Sequence, residues 1–207
     1  MTGIRSAIKK TVLADEQKRP DVAAARRKWK TEQHRLDPER LVFLDETWAK
    51  TNMIRSHGRC PRGERLAGSA PFCRWRTSTF VAGLRHDGII APLVMNCPMN
   101  GRIFQMYVRD CLAPELRPGD TVIMDNLGSH KSQAVRDAIA ERGAHLLFLP
   151  PYSPDFNPIE NFFSKLKAHL KAAAERTIDG LWNRIGIVLE ETSPQECRNF
   201  IRHDGYA

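Results

Sequence analysis

From Leu41 onward, the chain alternates between short apolar runs, which are typical of buried strands, and segments with helical spacing. Three strands are predicted first, within RLVFLDETW, TSTFVAGLRHDG and IIAPLVMNCPM. The tripeptide His86-Asp87-Gly88 predicts a hairpin turn between the second and third strands. The first part of this region is therefore expected to form an antiparallel sheet.

The second part of the same region changes to alternating helices and strands. It contains, in order, GRIFQMYVRDCLAPEL (helix), TVIMDN (strand), SQAVRDAIAERG (helix), AHLLFLP (strand) and a helix that begins near Asn157. Antiparallel strands that lead into β-α-β units predict an α/β fold, in which a mixed sheet is flanked by helices.

The first forty residues differ from the remainder in charge. They contain eleven Lys or Arg against six Asp or Glu, and few large apolar side chains. The stretch DVAAARRKWKTEQHRL predicts an exposed helix with a basic stripe. We interpret residues 1–40 as a basic helical linker or N-terminal extension, with a DNA-contacting arm as the alternative, and residues 41–207 as the folded domain.

Charge and composition limit the class of partner. The net charge of +8 and the pI near 9.5 favour polyanionic partners, with nucleic acid ahead of membrane. No apolar run approaches the length of a membrane span, and no secretory signal core is evident. An odd number of cysteines without a C-x-x-C pair suits a reducing cytosol. We therefore expect a cytoplasmic, nucleoid-associated protein without a membrane partner.

Three carboxylates lie where predicted strands end. Asp45 follows LVFL, Asp125 follows TVIM, and Glu160 opens the helix after HLLFLP. Functional sites of open α/β sheets form at such ends, so these side chains can converge if the strands are neighbours. Carboxylate oxygens suit Mg²⁺ or Mn²⁺, and two such ions roughly 3.5–4 Å apart assist phosphoryl displacement.

Each carboxylate also has a structural interpretation. Glu46 is next to Asp45 on the opposite face of a regular strand, and the period alone does not choose between them. Asp125 with Asn126 is compatible with ordinary turn chemistry. With Asn157 as N-cap and Pro158 at the first helical position, Glu160 would take the place of a capping-box glutamate.

Three blocks of the sequence resemble a known family. LVFLDETWAKTNM, TVIMDNLGSHKS and HLLFLPPYSPDFNPIENFFSKLK are similar to the blocks of bacterial insertion-sequence transposases in the mariner-like superfamily, which are DDE enzymes with a ribonuclease-H-like fold. The resemblance extends from about Leu41 to the end of the chain. The 34 residues between Asp125 and Glu160 match the family's usual separation for a glutamate as third ligand.

The resemblance implies specific roles. Asp45, rather than Glu46, would join Asp125 and Glu160 as the catalytic carboxylates, holding two Mg²⁺ for which Mn²⁺ can substitute. Asn126 and His130 match the second block. Asn126 would support the metal ligands and His130 would contact DNA or a neighbouring carboxylate, although turn or cap roles fit both at least equally well. The implied reaction is metal-dependent cleavage of phosphodiesters at element ends, followed by strand transfer into target DNA.

Two features surround Glu160. Four prolines within nine residues, Pro150 to Pro158, restrict the loop that precedes it, and Pro158 presets the first helical turn. Helical spacing then places Lys167 and Lys171 on the same stripe as Glu160, where they could hold DNA phosphates or remain solvated.

The resemblance also implies partners and alternatives. Double-stranded DNA is the expected partner, together with self-association or an upstream helix-turn-helix product, because about forty residues before the first catalytic strand are too few for such a region. The alternatives are a nuclease of the same fold that does not join strands, and a non-catalytic DNA-binding or inhibitory remnant.

Overall fold

The computed structural model describes residues 14–72 and 74–206, so residues 1–13 of the predicted N-terminal extension lie outside it. Its centre is a five-stranded mixed sheet with the strand order β3-β2-β1-β4-β5. The strands are β1 (Leu41–Lys50), β2 (Thr77–Arg85), β3 (Gly88–Met95), β4 (Thr121–Met124) and β5 (His145–Phe148).

The pairing follows the order predicted from the sequence. β1 pairs antiparallel with β2, and β2 pairs antiparallel with β3 across the predicted hairpin. β1 and β4 are parallel, with Leu44 opposite Met124, and β4 and β5 are parallel as well. The carboxyl ends of β4 and β5 therefore lie beside the middle of β1, next to Leu44 and Asp45. The prediction that the first strand ends at Asp45 is wrong, because β1 continues to Lys50 in its pairing with β2.

Seven α-helices are present in the described parts of the chain. They are α1 (Pro20–Glu32), α2 (Gly101–Tyr107), α3 (Ala113–Glu115), α4 (Gln133–Ala140), α5 (Ile159–Ala173), α6 (Ile178–Glu190) and α7 (Pro194–His203). The single helix predicted over residues 101–116 is instead α2 and α3 joined by a π-helical turn, Val108–Leu112. No helix among these residues is long and apolar enough to cross a membrane.

Helices cover both faces of the sheet. Alternate residues of β1 point to opposite faces and therefore belong to two separate cores. Phe43 belongs to the core formed with α5, α6 and α7, whereas Val42 and Leu44 belong to the core formed with α2 and α4. Phe162 and Phe163 of α5 are buried and pack on Phe80 of β2. This packing fixes α5, which carries Glu160, against the central strands.

The prediction of an exposed N-terminal helix is wrong for one side of α1. Val22 and Gln33 are buried, and the indole Nε1 of Trp29 donates a hydrogen bond to the Tyr206 hydroxyl at 3.0 Å. Gln33 donates to the carbonyls of Asp204 and Gly205. Because these positions recur at helical spacing, α1 packs one face on the C-terminal segment and exposes the other.

Candidate active site

The three candidate carboxylates line one cavity. Asp45 lies one residue beyond the pairing of Leu44 with Met124, and Asp125 follows Met124 directly, so the two aspartates lie at adjacent strand positions. Glu160 reaches the same place from the first turn of α5. The cavity has a volume of about 420 Å³, and its lining includes all three carboxylates and Asn126.

Asp45 is the most perturbed of the three. Its Oδ1 accepts a hydrogen bond from the Glu46 amide at 2.7 Å, and its Oδ2 accepts one from the Asn157 side chain at 2.8 Å. Burial is the main cause that raises the pKa of Asp45 to about 8, and the charges of Glu160 and Asp125 raise it further. Ionisation of Asp45 is therefore unfavourable in this pocket, and a nearby cation would favour it.

Glu160 is partly buried beside these aspartates. Burial raises its pKa above the ordinary value, the Lys167 ammonium acts in the opposite direction, and the charge of Asp125 adds to the increase. Ionisation of Glu160 is thus disfavoured by the same cavity, and Glu160 is not an isolated surface charge.

The capping-box interpretation of Glu160 is not what the first turn of α5 shows. The helix begins at Ile159, and the Asn157 carbonyl accepts a hydrogen bond from the Glu160 amide at 3.0 Å. The Asn157 side chain caps no amide, since its Nδ2 donates to Asp45 and its Oδ1 has no partner among the described residues. Asn157 therefore serves the pocket instead of the helix end.

His130 contacts Asp125 from the opposite side of the sheet. Its Nδ1 lies 2.7 Å from the Asp125 Oδ1, its Nε2 lies 3.4 Å from the Glu46 Oε2, and its ring stacks on Phe104 at 4.0 Å between ring centroids. Burial lowers the pKa of His130, but hydrogen bonds and charges from Asp125 and Glu46 outweigh it and raise the pKa to about 9. His130 thus orients Asp125, and the direction of its pKa shift favours the imidazolium form.

The donor set fits a hard divalent cation, because three carboxylates face one cavity and repel one another there. Within residues 14–72 and 74–206, no three His, Cys, Asp or Glu side chains are arranged to hold a metal ion as they stand. In this arrangement the Asn157 side chain contacts Asp45, and the His130 ring contacts Asp125.

A basic groove lies along α5 beside this cavity. Lys167 and Lys171, the two predicted phosphate contacts, line it together with Arg55 and His57, and its volume is about 400 Å³. The Lys167 ammonium also lies 5.1 Å from the centre of the half-exposed Trp48 ring. Positive charge therefore extends from the carboxylates along one wall of the molecule.

Two residues in the site were not predicted in their observed places. Asn157 was expected to cap α5, and Glu46 was considered only as an alternative to Asp45. The even position of Glu46 on β1 was the available signal, because it places Glu46 on the α2 face where His130 lies. The contact from Asn157 to Asp45 spans 112 residues, and no local pattern indicates it.

Comparison with known proteins identifies the family. The family model described as DDE superfamily endonuclease matches residues 40–181, which include all three carboxylates. The chain belongs to the DDE superfamily endonuclease family. The family match agrees with the resemblance stated above, and a bacterial origin stays a prediction.

One curated relative of this family member is the transposable element Tc1 transposase of Caenorhabditis elegans. The two are 27% identical over 159 residues, which cover 72% of this chain and 57% of the Tc1 protein. The chain thus spans little more than half the length of that relative.

Solved structures confirm the fold. The mariner Mos1 paired end complex with Mg matches with a TM-score of 0.76 at 18% identity, covering 97% of this chain and 64% of that one. The catalytic domain of Mos1 mariner transposase matches with a TM-score of 0.65 at 14% identity, covering 93% and 90%. The predicted ribonuclease-H-like α/β fold, with a mixed sheet flanked by helices, is therefore confirmed.

Proposed function

We propose that this chain is the catalytic domain of a DNA transposase that cleaves phosphodiesters at element ends and transfers the freed strand into target DNA. The observation that carries the proposal is that Asp45, Asp125 and Glu160, from three different elements, line one cavity. Membership of an endonuclease family supports it.

In this proposal the three carboxylates hold two Mg²⁺, for which Mn²⁺ can substitute. When bound, the ions would activate the attacking oxygen and stabilise the leaving oxygen of an in-line phosphoryl displacement. The residues of the chain fix the ligands. Asn157 orients Asp45, and the His130 imidazolium, which is held by Glu46, orients Asp125. Asn126 lines the same cavity and would support the ligands there.

DNA would approach along the basic groove. Lys167, Lys171 and Arg55 present positive charge beside the carboxylates, so they can neutralise backbone phosphates while the scissile bond enters the cavity. Such contacts position a duplex without reading its sequence. Double-stranded DNA is therefore the proposed partner, and a place with the nucleoid follows from it.

Self-association is part of the proposal. The Mos1 structures include a paired-end complex with the left transposon end and a strand transfer complex. By likeness of fold, we propose that two copies of this chain act together on element ends. A helix-turn-helix product encoded upstream would supply recognition of those ends.

A strand-transfer assay with pre-cut ends tests the function. Wild-type protein with Mg²⁺ or Mn²⁺ should join the 3′-hydroxyl of a pre-cut end to a target plasmid, and EDTA should abolish joining. Asp125→Asn should fold normally but neither nick nor join, whereas Asp137→Asn, an exposed aspartate on α4, should match the wild type. Nicking without joining would assign a nuclease, and equal activity of Asp125→Asn would refute the site.

A further inference from the structure

Arg26 of α1 contacts the loop that leads into Glu160. Its Nη1 donates to the Ser153 hydroxyl at 2.7 Å, and its two terminal nitrogens bind both carboxylate oxygens of Asp155 at 2.9 and 2.7 Å. The guanidinium also lies 4.6 Å from the centre of the Phe156 ring. The Arg26 side chain thus contacts three residues of this loop, although they lie more than a hundred positions away in sequence.

The loop adopts a backbone conformation that needs such support. Tyr152 has a φ of +55°, which places a large non-glycine residue in the left-handed region. Conformations of this kind persist when surrounding contacts determine them. The Tyr152 carbonyl accepts a hydrogen bond from the Gln17 side chain at 2.7 Å and lies 3.5 Å from the Arg26 Nη1. The N-terminal segment therefore holds the loop where its backbone is least favourable.

The same loop determines where two pocket residues lie. The amide of Asn157 donates to the Pro154 carbonyl at 3.1 Å, so the short helical turn Pro154–Phe156 sets the position from which Asn157 reaches Asp45. Glu160 follows one residue after the start of α5. A change at Asp155 would therefore be transmitted through a few backbone bonds to both sides of the cavity.

The Arg26 contacts are stronger than those of an ordinary surface pair. A single exposed ion pair contributes little, because solvent screens it and its side chains lose freedom. Here the Arg26 side chain is only 18% exposed, the pairing is bidentate, and the guanidinium is stacked on an aromatic ring. The Asp155 carboxylate responds, since its pairing with Arg26 outweighs burial and lowers its pKa.

We propose that Arg26 is a positioning residue for the candidate active site: it fixes the loop 152–157 and thereby the placement of Asn157 and Glu160. This rests on the proposed function only in that Asp45 and Glu160 are taken to act in catalysis. The segment that precedes the sheet thus completes the site, and a change in how α1 docks would change the site's activity.

Hydrogen–deuterium exchange of the 207-residue chain tests the structural half of this proposal. In Arg26→Ala, the peptide spanning residues 149–160 should exchange about tenfold to a hundredfold faster, the range expected when a charge-assisted hydrogen bond is lost. Peptides of β1 and β4 should be unchanged. The control is Arg27→Ala, because Arg27 is exposed and forms no hydrogen bond or ion pair with a described residue. Unchanged exchange in Arg26→Ala would overturn the proposal.

The functional half is tested by the Mg²⁺ concentration needed for half-maximal DNA nicking. Arg26→Ala and Asp155→Asn should each raise it, Arg26→Lys should raise it less, and the charge-swapped pair Arg26→Asp with Asp155→Arg should restore it in part. A purely structural role would lower the unfolding temperature without moving this midpoint, and that result would refute positioning. If nicking proves insensitive to Glu160→Gln, the proposed function fails, yet the exchange result still decides whether Arg26 fixes the loop.

Discussion

Two connections, the loop before α5 and the segment after β1, are built in opposite ways. The loop 149–158 carries four prolines and is held by Arg26, by the Tyr206 hydroxyl on the Phe156 carbonyl at 2.6 Å, and by the contact from Asn157 to Asp45. The segment 51–76, which follows β1, forms no helix or strand in its described residues, and residues 55–70 are all exposed.

Charge and burial differ between the two connections. The segment 51–76 contains six arginines and a single acidic residue, Glu64, and its large apolar side chains Leu66, Phe72 and Trp75 are exposed instead of packed in the core. Its ends are fixed by Thr51, whose amide donates to the Arg76 carbonyl and whose own carbonyl accepts from Arg176. Catalytic geometry requires a rigid loop, whereas contact with a polyanion requires positively charged side chains that can adjust to the positions of its phosphates.

Glu160→Gln should produce the largest effect, because it removes one of the three carboxylates at the end of the rigid loop. Gln has nearly the same shape as Glu and carries no charge into the partly buried site, so stability should stay near that of the wild type. Loss of a metal ligand should lower nicking by roughly a hundredfold or more, since metal assistance supplies several kcal/mol. The measurements are a Mg²⁺-dependent nicking rate and a thermal melt. Retained activity would return Glu160 to a structural role.

In EDTA at alkaline pH, Asp45→Asn should raise the free energy of unfolding above that of the wild type by on the order of a few kcal/mol. The pKa of Asp45 rises from an ordinary 3.8 to about 8, so its favourable contribution is complete below pH 3.8 and is lost as pH rises through about 8. The variant carries no charge there, and Asn157 can turn its unpartnered Oδ1 toward the new amide.

Melts at several pH values check this expectation. The stability of the variant relative to the wild type should increase between pH 5 and pH 9. Adding Mn²⁺ should stabilise the wild type alone. A constant difference across that range would show that Asp45 is not a buried charge in the folded protein.

Removing charge from the segment 51–76 should have a smaller effect, confined to DNA. Arg59→Ala combined with Arg62→Ala should weaken DNA binding several-fold and lower the slope of log affinity against log salt by about one for each arginine on a phosphate. Arg102→Ala with Arg198→Ala, two exposed arginines elsewhere, serves as the matched control. Equal slopes for the two double variants would remove the segment from the DNA path.

The smallest effect should be the preference of this 207-residue chain for terminal-repeat DNA over scrambled DNA. Its basic groups neutralise phosphates and do not read bases, so we expect a Kd on the order of 10⁻⁴–10⁻⁶ M at physiological salt for both. Fusing a helix-turn-helix domain that recognises the terminal repeats should create a preference. Fluorescence titrations at several salt concentrations decide this, and strong preference by the chain alone would show a recognition element within residues 1–40.

The strands and helices can be predicted from local sequence patterns, whereas the long-range contacts that complete the site cannot. Short apolar runs predict the five strands and period-3.6 spacing predicts α5, because burial determines both patterns. The positions of Asn157, Glu46 and Arg26 depend on partners distant in sequence, and their residue types suit caps, turns and solvated helices equally well. Arg26 in particular lies in a helix whose composition predicts exposure.

A calorimetric titration of Mn²⁺ into the wild type and into single variants at pH 9 tests most directly whether the three carboxylates form a metal site. At this pH the Asp45 carboxyl, whose pKa is raised to about 8, is mostly ionised. We predict that the wild type and Asp137→Asn bind Mn²⁺ alike, and that Asp45→Asn, Asp125→Asn and Glu160→Gln each weaken binding at least tenfold, the factor that corresponds to about 1.4 kcal/mol. Unchanged Mn²⁺ affinity in Asp125→Asn would contradict the assignment of these residues as a shared metal site.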